Sequence, residues 1–185
     1  MIGVVAALAL GVFTWTFMEY LIHRWLGHDV RTRPNPFATE HMRHHSEGNY
    51  FAPSWKKALA AIAVIGLFSG PAIRLAGLSA GLVFVVAFAG AYFGYEVMHR
   101  REHTHPGYGA FGRFVRRHHF YHHFTDAKFN HGVTSPVWDG VFGTLRPPGV
   151  IRVPAKLAPY WLADPDRGAV RAEYAEHYEL IPARL

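Results

Sequence analysis

The 185-residue sequence contains no cysteine. That absence excludes a disulfide framework, thiolate zinc sites and iron-sulfur clusters, so any metal must be held by nitrogen or oxygen. Acidic residues are also scarce, 13 against 19 Lys and Arg, which leaves a formal charge of +6 and a pI near 9.8. No dinucleotide fingerprint and no flavin or haem attachment motif occurs, so electrons for any redox chemistry must come from outside. There is no internal repeat of fixed period. The basic residues are not interleaved on a recognisable nucleic-acid motif, which argues against a nucleic-acid partner. Instead, 18 of the 19 lie in residues 23–57 and 100–185, flanking apolar segments, with Arg74 the exception. Basic loops beside apolar runs follow the positive-inside bias of membrane proteins.

What the sequence has in abundance is apolar residues, half of the chain, and histidine, 14 in all. Mean hydropathy is nevertheless close to zero, +0.03, so the apolar residues must be segregated. Residues 2–22, IGVVAALALGVFTWTFMEYLI, form one apolar run long enough, at about 1.5 Å per residue, to cross a hydrocarbon core of about 30 Å. The run lacks a basic n-region and a small-residue cleavage site, which argues for a membrane helix over a signal peptide. A polar stretch, residues 24–53, follows. Residues 58–73 and 75–98 then read as a helical hairpin turning between Pro71 and Gly81. The first arm is short, with a re-entrant or interfacial helix as the alternative. With three crossings, the chain leaves the bilayer near residues 23 and 98 on one face, and 12 of the 14 histidines follow those exits.

On an α-helix, positions i, i+3 and i+4 share a face, so His41, His44 and His45 are expected to converge, as are His119, His122 and His123. His99 and His103 form another i, i+4 pair. His23 and His28 do not fit, because five helical residues turn the side chain by about 140°. The helix is therefore expected to end between them, with Gly27 as the residue past its end. Ten imidazoles at chelating spacings, on one side of a bilayer, point to a metal site. One ion accepts about four to six ligands, so two metals are implied.

The strings EYLIHRWLGH, EHMRHH, YEVMHRREH, HHFYHH and NHGVTSPVWDGVFGT occur in an order and spacing that resembles the fatty acid hydroxylase superfamily, which also holds sterol desaturases and carotenoid hydroxylases. The resemblance covers roughly residues 15–145, and EYLIHRWLGH favours the fatty acid 2-hydroxylase branch. It implies a membrane-embedded di-iron oxygenase that uses dioxygen to hydroxylate an unactivated C–H bond of a fatty acyl chain or other lipid. It also implies an external electron donor, a ferredoxin or a b-type cytochrome with its reductase. Position by position, the implied metal ligands are His23, His28, His41, His44, His45, His99, His103, His119, His122 and His123. Zinc suits imidazoles and is a possible substitute in a purified protein, but it has no redox chemistry. Carotenoid β-ring hydroxylation and sterol or lipid desaturation are the alternatives within this chemistry, and a non-catalytic zinc-binding membrane protein is the alternative outside it.

Around this set, Glu19 lies one turn before His23 in an apolar stretch, where an ionisable group is a functional candidate. Glu19 and Asp139 are expected to hydrogen-bond ligand histidines or, for Asp139, to cap local backbone; His118 and His105 are expected to act as outer-shell groups or loop residues. His131 stands where members of the family usually carry an aromatic residue. The expected architecture is all-α: one membrane-embedded domain over residues 1–185 with about three transmembrane helices and a cytoplasmic, histidine-bearing helical cap holding the dimetal site. The histidine motifs fall within residues 19–145. Residues 146–185 are expected to form a surface tail, with an amphipathic helix over 167–180 that leaves His177 exposed.

Overall fold

A computed structural model describes residues 2–107, 109–164, 166 and 168–182. The chain divides into two compact units. Unit 1 comprises residues 1–19 and 52–97, and unit 2 comprises residues 20–51 and 98–185.

The secondary structure of unit 1 is helical over its described residues from 2 to 19 and from 54 to 97. Helix α1, Ile2–Leu21, supplies its first segment. The 51-residue run α3, Ser54–Thr104, supplies the rest, broken at Gly77, whose φ of 76° and ψ of 169° are open to glycine but strained for other residues. The break falls inside the expected interval. The two arms fold back on one another: Phe68 and Phe88 lie 5.1 Å apart, the Lys57 ammonium pairs with the Glu96 carboxylate, and Tyr92 Oη donates to the Lys57 carbonyl at 3.3 Å. Pro71 is accommodated within the first arm. Trp15 of α1 packs edge-on against Phe88 and Tyr92. Its ring therefore serves packing within the helices.

The outer surface of this unit is apolar. Val5, Leu8, Leu59, Ile62, Leu67, Leu75, Val86 and Phe93 are all more than half exposed. Two helical runs, Gly3–His28 and Ser54–Thr104, are long and apolar enough to cross a membrane, and only 28% and 11% of their most apolar windows are buried. Core helices of a water-soluble protein would bury that face, so the exposed apolar surface fits lipid contact.

Unit 2 begins where α1 passes into a π-helix, Ile22–His28, followed by a single 3-10 turn, Val30–Thr32. Helix α2, Pro36–Glu47, starts with Pro36 at its first turn and with the Asn35 side chain accepting from the Ala38 N–H at 2.8 Å. The last seven residues of α3, about two turns, belong to this unit, as do α4, Gly109–Phe124, and the short α5, Val137–Val141.

The C-terminal segment corrects the all-α expectation and the expected surface tail. Strands β1, Ile151–Pro154, and β4, Tyr178–Ile181, pair in parallel, Ile151 opposite Tyr178; β2, Ala163–Asp164, and β3, Ala169–Val170, pair antiparallel. Ile151, Val153, Trp161, Leu162 and Tyr178 close a buried core with Phe120 of α4. Each such side chain contributes about 1.5–3 kcal/mol by leaving water, which a solvated tail would forfeit. Residue 167, the start of the expected amphipathic helix, lies outside the described residues. The rest of that stretch forms a strand, a turn and a strand. Val170, Tyr174 and Tyr178, four residues apart in sequence, do share a core-facing side, but they reach it from β3, a 3-10 turn and β4. His177 is half-buried, and its carbonyl accepts from the Ile151 N–H at 2.9 Å.

Close helix packing in unit 1 depends on Gly11, because a Cβ there would sit 2.5 Å from the Phe84 carbonyl oxygen and 2.8 Å from Ala87 Cβ. Gly11→Val is therefore expected to cost about 1–3 kcal/mol by overpacking. A lowered thermal midpoint in detergent, with Gly3→Val unchanged as the control, checks this.

Candidate metal centre

All ten histidines singled out from the sequence lie in unit 2, and they fall into two groups of five. His23, His28, His41, His45 and His122 form the first; His44, His99, His103, His119 and His123 form the second. Within each group, one nitrogen from every ring lies within 4.8 Å of the others.

The grouping departs from the expected convergence of each HxxHH motif. On α2, His41 and His45 join the first group while His44 joins the second; on α4, His119 and His123 join the second while His122 joins the first. The reason is angular. Residues i and i+4 differ by about 40° around a helix, whereas i+3 lies about 100° from i+4, so the pair and the single ring diverge. The π-helix corrects the second expectation. Its i→i+5 hydrogen bonding brings residues five apart onto one face, so His23 and His28 converge without the helix ending at Gly27. Gly27 instead lets α2 approach, since a Cβ there would lie 3.0 Å from His41 Cδ2.

Backbone carbonyls fix the tautomers. His23 Nδ1 donates to the His131 carbonyl, His44 Nδ1 to that of Tyr50 at 2.6 Å, and His122 Nδ1 to that of Phe129 at 2.8 Å. A carbonyl oxygen only accepts, so each Nδ1 carries the proton and each Nε2 presents a lone pair. Those Nε2 atoms crowd together. In the first group His45–His41, His41–His28 and His28–His122 approach at 3.0, 2.8 and 2.9 Å; in the second, His44–His99 and His103–His119 both approach at 3.0 Å. Two imidazole nitrogens at right angles on one cation, each about 2.1 Å from it, lie about 3 Å apart. His23 Nε2 and both His123 nitrogens are buried without a hydrogen-bond partner, at a cost of about 1–3 kcal/mol each. The donor set therefore fits a pair of cations.

Electrostatics agree. Burial, followed by the neighbouring imidazoles, holds His41, His45, His119, His122 and His123 well below the usual histidine range, so they stay neutral and ready to ligate.

Asp139 anchors the loop beside the first group. Its buried carboxylate accepts from the His131 and Gly132 N–H groups, both at 2.8 Å, from Thr144 Oγ1 at 2.7 Å and from His118 Nε2 at 3.0 Å. Burial alone would raise this carboxyl; the hydrogen bonds outweigh it and hold it well below the usual carboxylate range. With Thr144 donating to Asp139, the Tyr20 hydroxyl donates to Thr144 at 2.9 Å and accepts from Arg24 at 2.7 Å. Asp139 thus pins the peptide whose carbonyl orients His23, and His118 serves Asp139. His105 is exposed and contacts the Thr104 hydroxyl. Glu19 is buried on α1 and belongs to unit 1. The buried His131 packs against His23 and His122, with ring centres 5.7 and 5.2 Å away, a role the sequence reading missed. The orienting carbonyls of Tyr50 and Phe129 were missed for a simpler reason: every residue has one.

The chain matches the fatty acid hydroxylase family over residues 8–144 and belongs to that family. It is 32% identical over 144 residues to the ceramide very long chain fatty acid hydroxylase scs7 of Schizosaccharomyces pombe, covering 75% of this chain and 42% of that one. It is 30% identical to the dihydroceramide fatty acyl 2-hydroxylase FAH2 of Arabidopsis thaliana, covering 77% of this chain and 60% of that one. The human fatty acid 2-hydroxylase is 31% identical, over 75% of this chain and 39% of its own length. A solved structure of full-length scs7p, in which only the hydroxylase domain is visible, superposes with a TM-score of 0.60 at 28% identity, over 77% of this chain and 57% of that one. The chain thus spans about two fifths to three fifths of the length of these relatives.

The depressed histidines carry a pH signature. The unfolded chain binds protons near pH 6.5 that the folded chain refuses, so stability is full above that value and falls as pH drops through it. Chelator-treated protein is expected to show a flat thermal midpoint at pH 7–8 and a steep decline below about 6.5. Scans across pH 5–8 measure it.

Proposed function

We propose that this chain is a membrane-embedded di-iron hydroxylase that inserts oxygen into a C–H bond of a fatty acyl chain, with 2-hydroxylation of a free or ceramide-linked acyl group as the leading reaction. The observation that carries this reading is the pair of imidazole pentads, made of rings that are buried or half-buried. The names of the relatives supply the substrate class, as all three act on fatty acyl groups.

When bound, a pair of iron ions supplies with dioxygen the oxidising chemistry that side chains lack, one oxygen atom entering the substrate and the other leaving as water at the expense of two electrons and two protons. The protein's part is to hold five neutral nitrogens at each position. The carbonyls of His131, Tyr50 and Phe129 keep the rings from rotating, and burial keeps them unprotonated. Ten imidazoles would hold such ions through neutral nitrogens alone, without a charged ligand to offset their positive charge. Zinc fits the same donors and would leave the chain inert as an oxygenase.

In this reading three segments cross the bilayer: α1 and the two arms of α3. The basic loops around residues 23–57 and 100–185 then lie on the cytoplasmic side by the positive-inside bias, together with the histidines. The acyl chain approaches from the lipid, so its tail stays in apolar surroundings while one carbon is oxidised. The electrons come from a separate ferredoxin or b-type cytochrome, and the basic surface favours an acidic carrier.

Comparative lipid mass spectrometry of cells with and without the gene tests the proposal, with His41→Ala and His119→Ala as matched controls. The expected result is a gain of one oxygen on acyl chains that depends on both histidines. Loss of two hydrogens would select desaturation, and an oxygenated carotenoid ring would select that substrate instead. Unchanged lipids together with stably bound zinc would replace the proposal with a metal-binding protein.

A further inference from the structure

Helix α3 ends at Thr104, one residue past His103, so its final carbonyls have no partners within the helix. These carbonyls hold up the segment that presents His99 and His103 to the second pentad. Two are satisfied locally: the Arg100 carbonyl by Thr104 Oγ1 at 2.8 Å, and that of Arg101 by the His105 N–H at 3.0 Å. One more helix carbonyl, and one just past the helix end, are met from farther along the chain. The Trp161 indole Nε1–H donates to the carbonyl of His103 itself at 3.0 Å, across 58 residues, and Arg116 donates to that of His105 at 3.1 Å.

Both donors are fixed in place. Trp161 is 4% exposed and belongs to the core formed by Phe120, Ile151, Val153, Leu162 and Tyr178. The Arg116 guanidinium, 1% exposed, stacks 4.0 Å above the Trp161 ring and lies 5.9 Å from that of Tyr174. A buried guanidinium has little freedom, so it sets the indole's plane and hence the direction of its N–H. The second pentad is braced from the other side too, because the Phe120 ring lies 5.3 Å from that of His103 and 6.0 Å from that of Trp161. The first pentad draws its support elsewhere, from Asp139 and the loop it pins.

We propose that Trp161 is a positioning residue for the second metal site: the C-terminal β-lobe, which lies beyond the family match at residue 144, caps α3 through its indole N–H and so holds His103 and His99 in ligating geometry. This rests on the reading that the pentads hold metal. The lobe's core gives α4 a packing face, and the Trp161 hydrogen bond to the His103 carbonyl acts on one metal position rather than both. An outer-shell partner of this kind is worth about tenfold to a hundredfold in metal affinity.

The test uses the full chain in detergent with Co(II) alone as the probe, read by its visible spectrum and by competition with a chelator. Wild type is expected to bind two equivalents. Trp161→Phe keeps an aromatic ring in the core and removes the N–H. In a His41→Ala background, which cripples the first pentad, Trp161→Phe is expected to weaken the remaining site about tenfold or more and alter its spectrum. In a His99→Ala background it is expected to leave the remaining site unchanged. Val153→Ala, which loosens the same lobe core without touching the indole, controls for stability. Equal affinity with and without the indole N–H in the His41→Ala background overturns the inference, as does an equal loss in both backgrounds or an equal loss from Val153→Ala. Should the Phe variant fail to fold, Arg116→Gln, which frees the indole's plane, is measured in the same two backgrounds with the same two outcomes. Wild type that binds no Co(II) would instead overturn the dimetal reading itself.

Discussion

Everything in unit 2 answers to one requirement: imidazole lone pairs must converge in a place without water. Neutral rings pointing nitrogens at one another are unfavourable unless a cation lies between them, and each ring must be held against turning its lone pair toward another donor. Carbonyls do that holding for His23, His44 and His122, and each comes from a segment with its own means of staying put. The His131 peptide is tied to Asp139, and Tyr50 stacks beneath the Arg43 guanidinium at 3.9 Å while its hydroxyl donates to Glu40. Phe129 lies 4.1 Å under the guanidinium of Arg146, whose N–H is held by Asn130 Oδ1 at 2.7 Å.

The histidines themselves were readable because chelation imposes a spacing that composition does not produce by chance. Their division into two groups was also latent in the sequence, since the 100° step between adjacent helical positions separates His44 from His45 and His122 from His123. The departure at His23 and His28 was visible as a problem, a gap of five on a helix, but not as its solution. A π-helix has no residue signature strong enough to be read in advance, and a helix end solves the same geometry on paper. Glu19, by contrast, was an ionisable residue in an apolar run, and the fold buries it on α1 in unit 1.

The C-terminal lobe escaped notice for a different reason. Its strands are two to four residues long, too short for alternation to register, and the parallel pairing of Ile151 with Tyr178 joins positions that no local pattern connects. Val170, Tyr174 and Tyr178 there are spaced like one face of a helix. What decides between a helix on the surface and strands over a core is whether a partner exists. Phe120 is that partner, and it sits between two ligand-spaced histidines in the string HHFYHH. The same six residues therefore carry four histidines and the seat of the lobe.

Because α2 sends His41 and His45 one way and His44 the other, while α4 does the reverse with His122 set against His119 and His123, neither helix belongs to a single histidine group. Rolling α2 about its axis would draw one set of nitrogens inward and swing the other away, like the arms of a scale. The spacing of the two nitrogen groups is thereby geared to helix rotation, and with a cation in each, a shift at one would reach the other through a rigid rod.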